Sequence, residues 1–161
     1  MPPQRTRRSG CPVSAALEVL GDRWTLLVVR DLMVRGLTTF KQFQESGEGI
    51  ATNILAARLR SLRDSGIVTT EPDRADGRSL RYRLTEKGIA LAPLVFELLL
   101  WGARYEKTGA PPAMIDAIAA NREATLAETH RRWRDRDPMP LIPKFDKAAI
   151  ARLSKRQGAH P

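Results

Sequence analysis

The hydrophobic period of this chain changes twice, and the order of those changes restricts the fold more than any other feature. Apolar residues recur at helical spacing from residue 12 to residue 65. They alternate at the period of a strand from Ile67 to Leu84. After Thr85 a long apolar stretch returns to helical spacing. Several short helices, one β-hairpin and one long helix therefore follow each other along the chain.

The local signals mark where each element starts and stops. Val13, Ala16, Leu17 and Leu20 share a helical stripe, with Pro12 suited to the first helical position and Gly21 to a stop. A second helix opens after Asp22, carries Trp24, Leu27, Val28 and Leu32, and ends by Gly36. Thr39 and Gln42 form a capping-box pair opening a short helix with Phe40 and Phe43 on one face. Gly47 and Gly49 then mark a turn. Residues 51–65 read as a helix with Leu55, Leu59 and Leu62 on one stripe and Thr52, Asn53, Ala56 and Arg60 on other faces. Gly66 suits the left-handed residue that closes it.

Residues 67–71 and 80–84 read as two strands, joined by a segment in which Asp76 and Gly77 are a strong turn signal. The helix after Thr85 is apolar on more than one face, so one face needs a partner outside its own domain. Pro93 either kinks it or divides a short lead-in from the main helix. Beyond the break at Ala110, Pro111 and Pro112, residues 113–135 read as one helix with a weak stripe of Ile115, Ile118, Leu126 and Trp133. Residues 137–143 read as proline-rich linker, and the tail from Asp146 as one short helix with a basic end. The expected fold is mainly α with a small β-hairpin: a winged helix-turn-helix with a C-terminal helical extension. The expected organisation is a basic arm (1–10, with Arg5, Arg7 and Arg8), a DNA-binding and dimerisation domain (11–107), and an extension with tail (108–161).

Charge points the same way. Lys and Arg number 27 against 18 Asp and Glu, a net charge of +9, which predicts attraction to a polyanion. The 161 residues suffice for a core without staples, and a single cysteine excludes an internal disulfide framework and suits a reducing compartment. Residues 1–10 hold no apolar signal region. The apolar run 89–103 is interrupted by Pro93 and Glu97 and reads as too short for a bilayer, so a cytoplasmic protein without membrane contact is expected. There is no glycine-rich phosphate loop and no GxSxG turn. His130 and His160 lack partners at metal-ligand spacing, so neither an enzyme nor a metal or other cofactor is expected.

A winged helix meets DNA by laying one helix in the major groove and the hairpin beside it. Residues 39–46 would support, and residues 51–65 would read. Thr52 and Asn53 lie at the N-terminal end of the reading helix, where side chains reach base edges, although Thr52 also reads as a plain cap. Asn53 can pair with adenine through two hydrogen bonds, and Arg60 can reach phosphate or guanine. Arg58 reads instead as an internal ion-pair residue. In the hairpin, Arg74, Arg78, Arg81 and Arg83 form a basic cluster suited to phosphates, with Asp73 and Asp76 positioned to orient them.

One set of motifs is specific when taken together. It comprises Cys11, Pro12 and Val13; the run LGDRWTLL from Leu20; Phe40 and Phe43; Ile50 and Leu55; Arg58, Leu59 and Arg60; Tyr82, Arg83, Leu84 and Thr85 before Gly88; and Trp101 with Gly102. Over roughly residues 11–105 the chain resembles the HxlR-type winged-helix regulators, within the wider MarR-like superfamily. The resemblance implies a repressor-type transcription regulator, a homodimer joined through its first and long helices, and a palindromic operator, often near the regulator's own gene. Val13, Leu17, Leu94, Leu98 and Trp101 are the expected dimer contacts. Cys11, at the start of the first helix with Arg7 and Arg8 close in sequence, is placed to form a thiolate, and the resemblance implies that it senses oxidants or electrophiles; the other reading of the residue is a small side chain packed at the helix start. A small-molecule effector in a pocket lined by Trp24, Phe96 and Trp101 is a further reading, the alternative being that these rings are core. A non-specific architectural DNA protein is the competing function.

Overall fold

The computed structural model describes residues 10–142; the expected basic arm, apart from Gly10, and the expected tail helix from Asp146 lie outside the described residues. Leu20, Val29, Phe43, Leu55, Leu62 and Ile67, all nearly or fully buried, draw the first helices and the hairpin onto one apolar cluster. Helix α1 (Pro12–Leu20) and helix α2 (Arg23–Val34) are separated by Gly21 and Asp22. Gly21 is a stop for an unexpected reason: its backbone is right-handed, and a Cβ there would collide with the Leu17 carbonyl. The Asp22 carboxylate accepts from the amides of Trp24 and Thr25 and so caps α2.

Helix α3 (Phe40–Gln44) opens with the expected capping box. The Gln42 amide donates to Thr39 Oγ1 at 3.3 Å, and Gln42 Oε1 accepts from the Thr39 amide at 3.0 Å. Helix α4 (Thr52–Asp64) buries Leu55, Leu59 and Leu62. It closes on Gly66 at φ 69°, whose left-handed backbone lets the Ile67 amide reach back to the Leu62 carbonyl at 2.9 Å. Strand β1 (Val68–Pro72) pairs antiparallel with β2 (Leu80–Leu84), Thr70 opposite Tyr82, so the first strand lies one residue later than expected. The free edge of β2 is covered by residues 38–39: the Tyr82 amide donates to the Thr38 carbonyl at 2.7 Å. The hairpin is thereby fixed to the start of the supporting helix.

Pro93 marks a division rather than a kink. Helix α5 (Glu86–Ile89) is the lead-in and α6 (Ala92–Tyr105) the main helix. Taken together, Glu86–Tyr105 is 20 residues, long and apolar enough by length and composition to cross a membrane, a correction to the expectation that this run is too short. The stretch is longer than the expected 89–103 because α5 adds residues before it and α6 runs on to Tyr105. Ala92, Val95, Phe96 and Leu100 of α6 are buried in the protein. The expected single helix over 113–135 is two, α7 (Pro112–Ala120) and α8 (Arg122–Asp135), broken at Asn121. Ile118 and Ile142 complete a second core cluster with Val34, Ala92, Phe96 and Leu100. The expected order of helices, hairpin and long helix is the winged helix-turn-helix observed.

Candidate nucleic-acid interface

Helix α4, the expected reading helix, is anchored on its inner side and open on its outer side. Leu55, Leu59 and Leu62 pin α4 to the core. Arg58 projects sideways, its Nε buried and 3.9 Å from Asp22, which ties α4 to the cap of α2 as the ion-pair reading expected. The exposed face carries Asn53, Ala57 and Arg60, with Ala56 half-buried between them. Asn53 and Arg60 are seven residues and two turns apart, about 10 Å along the axis. Two alanines between them leave that face low enough to enter a groove.

Thr52 is not the cap. Ala51 holds that position without a side-chain bond, and Thr52 Oγ1 accepts from Gln44 Nε2 at 2.7 Å. The hydroxyl therefore joins the supporting helix to the first turn of the reading helix. Behind this pair lies a network the sequence did not announce. Asp31, nearly fully buried in α2, takes ion pairs from Arg30 at 2.7 Å and Arg35 at 3.1 Å. Arg30 also reaches Glu48 at 2.9 Å in the turn between α3 and α4. Burial pushes the Asp31 carboxyl above its usual range, against the pull of Arg30. The turn that sets the angle of the reading helix is thus bonded to α2.

The hairpin tip runs from Asp73 to Ser79. Asp73 accepts from the Ala75 amide at 3.0 Å and pairs with Arg81 at 3.0 Å, and these bonds hold its carboxyl below the usual carboxylate range. Asp76 accepts from the Arg78 amide at 3.1 Å and the Ser79 hydroxyl at 2.8 Å. The two aspartates therefore shape the tip, and only Asp73 orients an arginine. Arg74 and Arg78 are exposed there and form no ion pair among the described residues.

Arg81 and Arg83 sit elsewhere. Their strand face turns toward the C-terminal extension, while Tyr82 turns toward α3 and meets Phe43 edge-on at 5.9 Å. Arg81 is spent on Asp73, remaining partly exposed. Arg83 donates to the Trp133 carbonyl at 2.7 Å and lies 5.2 Å over the Trp133 ring. Burial lowers its pKa from the usual arginine value, with Arg136 adding to the effect. The expected cluster of four is two exposed tip arginines without ion pairs among the described residues, an exposed Arg81 paired with Asp73, and a half-buried Arg83 held by Trp133.

Val13 and Leu17 on α1, and Leu94, Leu98 and Trp101 on α6, are exposed, as is Tyr105, whose ring lies tilted against Trp101 at 5.5 Å. On α6 the spacing of i, i+4, i+7 and i+11 makes one apolar stripe. Cys11 is exposed at the N-cap of α1, outside any disulfide. Trp24, Phe96 and Trp101 do not line a common pocket: Phe96 is core, Trp101 is on the surface, and Trp24 is half-buried. An apolar cleft of about 450 Å³ lies instead between α2 and α6, bordered by Leu26, Val34, Leu99 and Ile142. No group of three or more residues able to hold a metal occurs among the described residues.

The comparisons with known proteins agree with this architecture. The family model described as HxlR-like helix-turn-helix matches residues 19–110. The uncharacterised HTH-type transcriptional regulator Rv3095 of Mycobacterium tuberculosis is 37% identical over 99 residues, which is 62% of this chain and 61% of that relative's length. Among solved structures, PA1607, described as a candidate transcription factor, superposes with a TM-score of 0.58 at 45% identity, covering 66% of this chain and 71% of its own. The redox regulator HypR in its oxidised form superposes with a TM-score of 0.54 at 30% identity, covering 61% of this chain and all of its own. The matched family and relatives are helix-turn-helix regulators, not enzymes.

Proposed function

The chain belongs to the HxlR-like helix-turn-helix family, and from that premise we propose that it is a cytoplasmic, sequence-specific transcription regulator that binds a palindromic operator as a homodimer and represses by occupying it. The observation that carries this reading is the open face of α4, with Asn53 and Arg60 two turns apart across small alanines, together with Arg74 and Arg78 exposed at the hairpin tip. Asn53 reads adenine, Arg60 takes guanine or phosphate, and the tip supplies sequence-independent phosphate contacts.

The exposed stripes support the dimer. Water against Val13, Leu17, Leu94, Leu98 and Trp101 is costly, and a twofold partner covers both helices at once. Such a dimer presents two reading helices about 34–36 Å apart, one turn of DNA. The discriminating experiment compares affinity for DNA upstream of the protein's own gene with affinity for unrelated duplex of equal length. A ratio of about a thousand or more supports a specific regulator, whereas a ratio near one is the mark of an architectural protein.

A second reading concerns the signal. Cys11 lies exposed two residues before Val13 and so borders the proposed dimer contact. HypR, a structural neighbour, is described as a redox regulator. Oxidation of two Cys11 thiols to a disulfide across the dimer would shift the two reading helices relative to each other. Diamide treatment of wild type and Cys11→Ser tests it: operator affinity that changes only in the wild type supports the sensor, and unchanged affinity in both removes it. The α2–α6 cleft is the place where a small apolar effector would fit.

A further inference from the structure

The family match ends at residue 110, yet the chain beyond it is built into the rest of the protein. The Ile142 amide donates to the Val34 carbonyl at 2.9 Å, and Ile118 and Ile142 fill the second core cluster. The most specific contacts are those that α8 makes with the hairpin. The Trp133 indole N–H donates to the Leu84 carbonyl at 2.8 Å, and Arg83 donates to the Trp133 carbonyl at 2.7 Å. Trp133 thus accepts from Arg83 and donates to the next residue of β2, Leu84, with the guanidinium over the ring. On the other strand, Arg136 pairs with Glu71 of β1 at 3.1 Å. Both strands are gripped from one side, while Tyr82 packs on Phe43 from the other.

A two-stranded hairpin is marginally stable alone. Its angle against α4 decides whether Arg74 and Arg78 meet phosphates when α4 lies in the groove. Loop and hairpin ordering is an entropy cost that binding must otherwise meet. We propose that α8 is a brace that presets the wing for DNA, with Trp133 and Arg83 as positioning residues and the Arg136–Glu71 pair as an outer latch. The consequence for affinity rests on the wing reading given above; the restraint on the hairpin does not.

The brace is tested on the full chain with Trp133→Phe, which keeps an aromatic ring but deletes the indole donor, and with Glu71→Gln, which opens the exposed latch. Without DNA, amide hydrogen exchange in residues 68–84 should accelerate about tenfold in Trp133→Phe while exchange in α4 stays unchanged. Charge reversal in Glu71→Arg with Arg136→Glu should restore the protection that Glu71→Gln loses. Unchanged exchange in the hairpin, or equal acceleration throughout, overturns the proposal. With DNA, Trp133→Phe and Arg74→Gln/Arg78→Gln should act through one path, so their combination costs no more than the tip variant alone. Full additivity overturns the brace as a device for DNA binding. If the tip variant alone leaves affinity unchanged, the wing reading fails, and the exchange data still decide the brace.

Discussion

The Gln44 amide donates to the Thr52 hydroxyl across 2.7 Å, joining the end of the supporting helix to the first residue of the reading helix. With the hydroxyl so engaged, Thr52 orients α4, and Asn53 beside it is the residue with a free edge to offer a base. Two neighbours that look alike as candidates in the sequence thus separate into one bonded to the supporting helix and one exposed and proposed to read.

Replacing each should show the difference. Asn53→Ala is expected to lose discrimination at one base pair per half-site, about 1–3 kcal/mol, with phosphate-driven binding intact. Thr52→Ser, which keeps the acceptor, should leave both affinity and preference unchanged. Competition titrations with single-base operator variants measure this. Preference retained in Asn53→Ala contradicts the assignment.

The arginines of the wing should divide in the same manner. Arg78→Gln is expected to lower the slope of log affinity against log salt by about one unit while leaving the melting temperature unchanged. Arg83→Gln should lower the melting temperature by several degrees, since it removes a charge-assisted bond and the packing over Trp133, worth about 1–3 kcal/mol. Calorimetry on the two variants separates these roles.

Much of this fold is legible in the sequence because its signals are local. The Thr39 and Gln42 box, the left-handed Gly66 and the shift from helical to alternating spacing each involve residues a few positions apart. What escaped depends on distance along the chain. Arg83 and Trp133 are fifty residues apart, so a basic strand residue reads as a DNA contact until the helix that occupies it is in place. The break at Asn121 escaped because apolar spacing continues through it. The Asp31 network escaped because one buried carboxylate on an apolar helix carries no pattern at all.

The dimer contact makes a plain prediction. Leu98 is 46% exposed at the centre of the α6 stripe, so Leu98→Glu costs the isolated fold little. It should dissociate the dimer in sedimentation velocity and weaken operator binding by about a hundredfold or more, since each half-site then binds alone. A Leu98→Glu protein that still sediments as a dimer contradicts the stripe as the contact.

Acid should loosen the extension. Arg131 and Arg132 each donate to Glu128 at 2.7 Å, and these bonds bring its carboxyl down from the usual glutamate value to about 2. A carboxyl lower in the folded chain than in the unfolded one contributes its stability fully above about pH 4.5, and that contribution fades as pH falls toward 2. Arg132 also holds the Met139 carbonyl at 3.1 Å, so residues 137–139 should loosen over the same interval. Carbon-detected NMR titration should give a Glu128 midpoint near 2, and Glu128→Gln should remove that step while leaving the one from Asp137, whose carboxyl is also held below its usual value by the Met139 amide. A midpoint at the ordinary glutamate value contradicts the pairing.

The central claim is that two copies of this chain read a symmetric DNA site through α4. Selection of bound sequences from a random duplex pool tests it most directly. The expected result is enrichment of a palindrome whose half-sites lie about one helical turn apart, with an adenine-containing step lost when Asn53→Ala is used in the selection. A pool that emerges without a consensus, or with a consensus lacking twofold symmetry, would contradict it.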